Sequence, residues 1–190
     1  MKQAQVLSEK DVKRVLAAIA RRGTTVRDRA MFQMSYLAGM RVGEIASLRV
    51  CDVYEVDGTV KSQIRLSKSQ TKGSEARTVL LNAQAQSELL NYWCDLPRVG
   101  EEPLFVSRYG TAMSANSLVQ VFGRIYRQAG LGNASSHSGR RSFITGLAYK
   151  GVNVRVLAAL AGHKSISTTQ RYIEVGEHQL RAAIELISDF

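Results

Sequence analysis

Two prolines, two cysteines and one tryptophan occur in 190 residues, and each scarcity removes a class of protein. With so little proline and a hydrophobic fraction of 45%, the chain is neither a disordered tail nor a low-complexity linker. Cys51 and Cys94 lie far apart and in no CxxC pair, so they make neither a readable zinc site nor a disulfide framework. They are expected to be reduced, buried small hydrophobes in a cytoplasmic protein. No apolar run approaches the ~18–20 residues of a membrane-crossing helix, and the first ten residues lack the apolar core of a secretory leader; no membrane partner is expected. Acidic side chains are also in short supply, with 16 Asp+Glu against 26 Lys+Arg, a formal net charge of +10. The resulting pI of about 9.9 points to a polyanionic partner, nucleic acid before a membrane surface. HExxH, a GxxxxGKS/T phosphate loop, a GxSxG elbow and Cys/His clusters at zinc spacing are all missing. The carboxylates are scattered, and no trio suggests itself for Mg²⁺-dependent strand transfer.

What is present reads as a mainly helical α+β chain with a small sheet near its front. Ser8-Glu-Lys-Asp is a capping box ahead of Val12, Val15, Leu16 and Ile19 at helical spacing, with Gly23 as the stop. A second helix is expected over 26–38, closed by Gly39, followed by a short amphipathic piece over 41–48. The period then changes. Residues 50–56, the Asp57-Gly58 turn, residues 59–66 and residues 77–81 predict a three-stranded antiparallel sheet, with a basic loop over 67–76. Asn82 can cap a helix to about Asp95, stopped by Pro97; residues 104–107 are strand-like, and an amphipathic helix is expected over 114–129. Helices are expected near 138–150, 154–161, 168–175 and 177–187. No repeat or linker divides residues 1–190, so one domain is expected.

Phosphodiester chemistry without a metal needs a nucleophilic hydroxyl, fixed cations around the phosphate and a proton donor for the leaving 5′-oxygen. Arginine suits the phosphate through its charged planar fork, and histidine suits proton transfer near neutral pH. His137-Ser-Gly-Arg140 places a histidine and an arginine three residues apart, on one helical face. Gly162-His163 follows a helix where backbone can approach a ligand, and Tyr172 stands nine residues beyond His163 in a polar stretch. Taken singly, each has a bland reading. Arg41 with Glu44 is a surface ion pair worth a few tenths of a kcal/mol, the histidines are ordinary, Tyr172 is one of seven tyrosines, and Lys68 and Lys72 are a solvated loop.

Together, in order, Gly39-Met-Arg41-Val-Gly-Glu44-Ile, a basic hairpin loop, His137-x-x-Arg140, Ala161-Gly-His163 and Tyr172 resemble the tyrosine recombinases of the phage integrase family, over nearly the whole chain. The resemblance implies the DNA breaking–rejoining fold and site-specific recombination through a 3′-phosphotyrosine, with no metal or other cofactor. It implies Tyr172 as nucleophile, Arg41 and Arg140 on the non-bridging oxygens, His163 as a further hydrogen bond to the phosphate and His137 in proton movement near the tyrosine. It puts a lysine on the hairpin loop as general acid: Lys72 in Thr71-Lys-Gly73 fits best, with Lys68 as the alternative. Glu44 is expected to orient an arginine. Lys68, Arg77, Arg124, Arg127 and Arg141 are candidate DNA contacts, and Asn116, Ser117 and Gln120 join them on the polar faces of the 114–129 helix. The implied partners are double-stranded DNA, further copies of the chain in a tetramer on DNA held by the last helix, and accessory DNA-bending proteins.

Departures from the family pattern are Ala161 where Leu is common, Gly139 where Leu is usual and Arg141 where His often follows. The N-terminal core-binding domain of most members is expected to be absent, through truncation or in a short form like the fimbrial phase-switch invertases. Two alternatives remain at this point: a type IB topoisomerase, which small size and an oligomerising last helix disfavour, and an inactive DNA-binding accessory protein, which the intact residue set disfavours.

Overall fold

Ser8 opens the first helix as its sequence leads one to expect. Its Oγ accepts the Asp11 N–H at 3.2 Å while Asp11 Oδ2 accepts the Ser8 N–H at 3.1 Å, a reciprocal capping box for α1 (Glu9–Ala20). The computed structural model describes residues 3–71, 75–96, 98–173, 180–181 and 184–185. The chain forms two compact units, residues 1–143 and 144–190.

In the first unit, α2 (Thr25–Leu37) runs through the core, with Ala30, Met31, Phe32 and Met34 all buried. Fully burying side chains of this size stabilises by about 1.5–3 kcal/mol each. Two charged residues of α2, Asp28 and Arg29, are held in ion pairs. Asp28, fully buried, accepts from Arg22 Nε at 2.7 Å, Arg27 Nη2 at 2.8 Å and Thr24 Oγ1 at 2.8 Å. Arg29 forks onto Glu88 with two contacts of 2.6 Å, which ties α2 to α5 (Ala83–Trp93), the helix it packs against. Asn82 caps α5 as expected, Oδ1 accepting the Ala85 N–H at 2.8 Å. The amphipathic α6 (Ala115–Gln128) buries Leu118, Val121, Phe122, Ile125 and Tyr126 and packs on α1 and on α3 (Val42–Ala46).

Among the described residues the sheet has two strands, not the expected three. β1 (Gln63–Leu66) pairs antiparallel with β2 (Arg77–Leu80), in the register Ile64 to Val79 and Leu66 to Arg77. The expected first strand is instead the one-turn helix α4 (Val50–Val53): Val50 and Val53, three apart, are both buried on one side, and Asp52 Oδ2 accepts the Arg49 N–H at 2.9 Å. Around the Asp57-Gly58 turn only a single bridge forms, Tyr54 to Val60. Gly58 takes φ +86° with the Trp93 indole against it, a conformation and a closeness that suit glycine alone. The strand-like 104–107 stretch is likewise reduced to a bridge, Val106 to Ala112. Cys51 is half-buried and Cys94 exposed, the latter because it caps the solvent-facing end of α5; the expectation of two buried thiols is corrected.

The boundary between the units falls inside α7 (Ser138–Tyr149). In the second unit, α8 (Val154–Ala161) packs on α9 (Ile166–Gln170). The helix expected over 168–175 starts earlier, where Ser165 Oγ accepts the Ser167 N–H. It ends earlier because Tyr172 N–H to Thr169 O at 2.9 Å and Ile173 N–H to Gln170 O at 3.1 Å tighten the chain out of α geometry. Of the expected last helix, Leu180, Arg181, Ile184 and Glu185 are helical, and the rest lies outside the described residues.

Candidate active site

Just past the end of α2, Gly39 has a φ of +63° that turns the chain into α3; a Cβ here would lie 2.5 Å from Phe143 Cδ1. Two residues on, Arg41 is the N-cap of α3, and Glu44 is the residue that reaches back: its Oε2 accepts the Arg41 N–H and its Oε1 the Arg41 Nη1, both at 2.8 Å. Glu44 is 1% exposed. It is clamped again from β2, where Arg77 Nε reaches Oε1 at 3.1 Å and Nη2 reaches Oε2 at 2.7 Å. Burial pushes the Glu44 carboxyl up, but the Arg77 and Arg41 contacts outweigh it and hold the group below the ordinary glutamate range. Glu44 thus holds Arg41 in a buried, charge-assisted cluster rather than in the surface ion pair that the two residues taken singly suggest. Arg77, expected as a DNA contact, has Glu44 as its partner, and its side chain is 10% exposed.

Arg140, in the first turn of α7, is 6% exposed, and its Nη1 donates to the Gly39 carbonyl at 2.5 Å. Arg41 and Arg140 are therefore both fixed to the turn 39–44. The depth of Arg140 is set by its neighbour Gly139, which lies directly on Ser35 of α2: an added Cβ would sit 2.7 Å from Ser35 Oγ. That contact occupies the room a leucine would need, which accounts for one departure from the family pattern. Ser142 Oγ ties the same turn to the N-terminal segment by accepting the Leu7 N–H at 2.7 Å. His137 is exposed, just ahead of α7, its carbonyl accepting the Arg141 N–H at 2.9 Å. Arg141 is half-buried and hydrogen-bonds Gln3.

In the second unit, α8 closes with Gly162 in the left-handed region (φ 60°, ψ 49°), and the His163 N–H reaches back to Ala158 O at 2.9 Å. This Schellman closure requires glycine and delivers His163 at a fixed place. Its Nδ1 lies 2.8 Å from the Oγ1 of Thr169, a fully buried residue. The Tyr172 ring stacks on the imidazole with centroids 5.9 Å apart and planes 20° apart. Thr169 is a residue that sequence reading passes over; its only hint is a threonine three positions before the tyrosine.

Lys72 lies outside the described residues. Lys68 is exposed in a 3₁₀ turn (Lys68–Gln70) anchored by Gln70 Nε2 on Asp52 Oδ2 at 2.7 Å. Arg124 and Arg127 are exposed on α6, as are Asn116 and Gln120, with Ser117 half-buried. Among the described residues no group of three or more His, Cys, Asp or Glu side chains converges as metal ligands do, and no helix is long and apolar enough to cross a membrane.

The family model described as phage integrase family matches residues 5–179. The tyrosine recombinase XerD of Oceanobacillus iheyensis is 30% identical over 187 residues, 95% of this chain and 61% of the relative. The tyrosine recombinase XerC of Vibrio campbellii is 34% identical over 167 residues, 84% of this chain and 50% of the relative. The crystal structure of XerA recombinase shares the fold with a TM-score of 0.77 at 24% identity, covering 98% of this chain and 66% of that one. A post-cleavage complex of the site-specific recombinase XerH with palindromic difH substrate gives a TM-score of 0.73, also at 24% identity, over 96% of this chain and 52% of that one. The chain spans between half and three-fifths of the length of these curated relatives. A match that takes in residues 5–179 covers nearly all of it, and on that ground the chain belongs to the phage integrase family.

Proposed function

We propose that the chain carries the catalytic part of a tyrosine-type site-specific DNA recombinase, with residues 1–190 serving as one catalytic domain. The observation that carries this reading is the turn 39–44, where a buried glutamate fixes Arg41 and a main-chain carbonyl fixes Arg140, two forks suited to one phosphate. The His163–Tyr172 stack, in family order, supports it.

The Tyr172 hydroxyl attacks the scissile phosphorus. A bond forms between its oxygen and phosphorus as the phosphorus–5′-oxygen bond breaks. His137 takes part in removing the phenolic proton, and Lys72, or Lys68, gives a proton to the leaving oxygen. Arg41 and Arg140 neutralise the non-bridging oxygens as charge builds on them, and preorganised donors of this kind are commonly the largest catalytic contribution. His163 adds a further hydrogen bond. The phosphotyrosine keeps the energy of the broken bond, so a 5′-hydroxyl of another strand reverses the step and religates. Double-stranded DNA is the substrate, gripped by the exposed basic residues of α6 and the hairpin. Tetramers form on DNA through the last helix, where Leu180 and Ile184 are about three-fifths exposed at 60% and 62%, and accessory DNA-bending proteins assist. A soluble cytoplasmic setting fits this substrate.

Nicked suicide DNA drawn from the sequence flanking the gene tests the reading. Wild type is expected to leave a covalent protein–DNA band on a denaturing gel without Mg²⁺, and Tyr172→Phe to leave none. A band that survives in the variant overturns the nucleophile. Relaxation of any supercoiled plasmid regardless of sequence identifies a topoisomerase instead.

A further inference from the structure

We propose that Arg77 is a positioning residue for DNA cleavage, locking the Arg41 guanidinium and the base of the lysine-bearing hairpin together through Glu44. This rests on the reading of Arg41 as a phosphate ligand. The two Glu44 oxygens receive four donors: Arg41 Nη1 at 2.8 Å and Arg77 Nε at 3.1 Å on Oε1, the Arg41 N–H at 2.8 Å and Arg77 Nη2 at 2.7 Å on Oε2. That uses the roughly four lone-pair sites a carboxylate offers. Arg77 is the first residue of β2 and pairs across the ladder with Leu66, the last of β1. Its side chain therefore leaves the sheet where loop 67–76, which carries Lys68 and Lys72, begins and ends. One carboxylate thus fixes both the arginine turn and the hairpin base.

Only an arginine fits this duty. A lysine would bring the charge but not the parallel donors that fix the plane of the carboxylate, and hence the direction of Arg41. Two guanidinium groups around one buried carboxylate also leave the cluster with a net positive charge, which suits a phosphate approaching Arg41. Among the described residues the charged groups that lower the Glu44 carboxyl are Arg77 from β2 and Arg41 at the start of α3, so removing Arg77 leaves burial opposed by one arginine instead of two.

The test measures covalent-complex formation on suicide DNA from acid to neutral pH for wild type, Arg77→Gln, Arg77→Lys, Glu44→Gln and the double variant Glu44→Gln with Arg77→Lys, alongside DNA binding as a function of salt. Arg77→Gln is expected to slow cleavage about a hundredfold, the order of loss that an ångström of misplacement brings, with DNA affinity held and the acid limb of the rate moved to higher pH. Arg77→Lys recovers part of the rate and keeps the acid limb low. Once Glu44→Gln is present, Arg77→Lys adds little. Independent, additive effects of the two substitutions overturn the proposal, as does wild-type cleavage by Arg77→Gln. Weakened DNA binding, with a salt slope smaller by about one phosphate and an unmoved acid limb, restores Arg77 as a DNA contact. Should wild type form no covalent complex, the recombinase reading fails by itself, and the clamp is then read from melting temperatures: coupling between the two positions upholds it and additivity overturns it. If Arg77→Gln does not fold, Arg77→Lys and Glu44→Gln decide on the same criteria.

Discussion

Gly139→Ala perturbs the site through packing alone. The new methyl would lie 2.7 Å from Ser35 Oγ, 3.1 Å from Ser35 Cβ and 3.3 Å from the Ser35 carbonyl carbon. The last of these is backbone of the buried helix α2, which has no side-chain freedom with which to give way. Overpacking of this kind costs about 1–3 kcal/mol, against a gain of up to ~1 kcal/mol from replacing glycine in a helix. Gly146→Ala, in the same helix α7, provides the control: the same propensity gain, with nothing within 4 Å of the new methyl among the described residues. The difference between the two variants isolates the clash. Gly139→Ala should melt below Gly146→Ala by about 2–4 °C for each kcal/mol of it. Ser35→Ala should recover part of the loss, since it removes the tightest contact together with a buried hydroxyl that has no hydrogen-bond partner among the described residues. Because Arg140 is the next residue, Gly139→Ala should also slow cleavage more than Gly146→Ala does. Equal melting temperatures for the two alanine variants would refute the close approach of α7 to α2.

Other expectations follow from the same geometry. Ser8→Ala removes one half of the α1 capping box and should cost about 1 kcal/mol in urea unfolding, with the slope unchanged. The Glu44 carboxyl is held below its ordinary value in the folded chain, so its stabilisation is present above the unfolded value near pH ~4.3 and is lost as pH falls through the folded one. Wild type should therefore lose stability on acidification more steeply than Glu44→Gln. Thr169→Val keeps the shape but removes the hydroxyl that holds His163 Nδ1. It should change the tautomer balance seen in imidazole ¹⁵N shifts and slow cleavage, and Thr169→Ser should restore both.

Helices with strong end signals were legible in the sequence. Ser8, Asn82 and Ser114 each accept the backbone N–H three residues on, as short polar side chains before an apolar period should. The third strand was not, because Val50 and Val53 satisfy a helical spacing as well as a strand's, and the choice fell to tertiary packing and to Asp52 capping the turn. The candidate site shows the same division. Arg41, His137, Arg140, His163 and Tyr172 entered as candidates through the family resemblance that their order and spacing carry, whereas the pairing of Arg77 with Glu44 joins residues 33 apart in sequence, and nothing local announces it. A basic residue beside a basic loop reads as a DNA contact until its partner is seen. Gly139 reads as a weakened helix position until Ser35 is found against it.

The central claim is that Tyr172 becomes joined to a DNA 3′-phosphate. Trapping the wild-type protein on suicide DNA, digesting both polymers and sequencing the nucleotide-bearing peptide by mass spectrometry tests it most directly. One modified peptide is expected, with the phosphate on Tyr172 and a free 5′-hydroxyl on the released strand. A modified peptide lacking Tyr172, or a linkage that leaves a free 3′-hydroxyl, would contradict it.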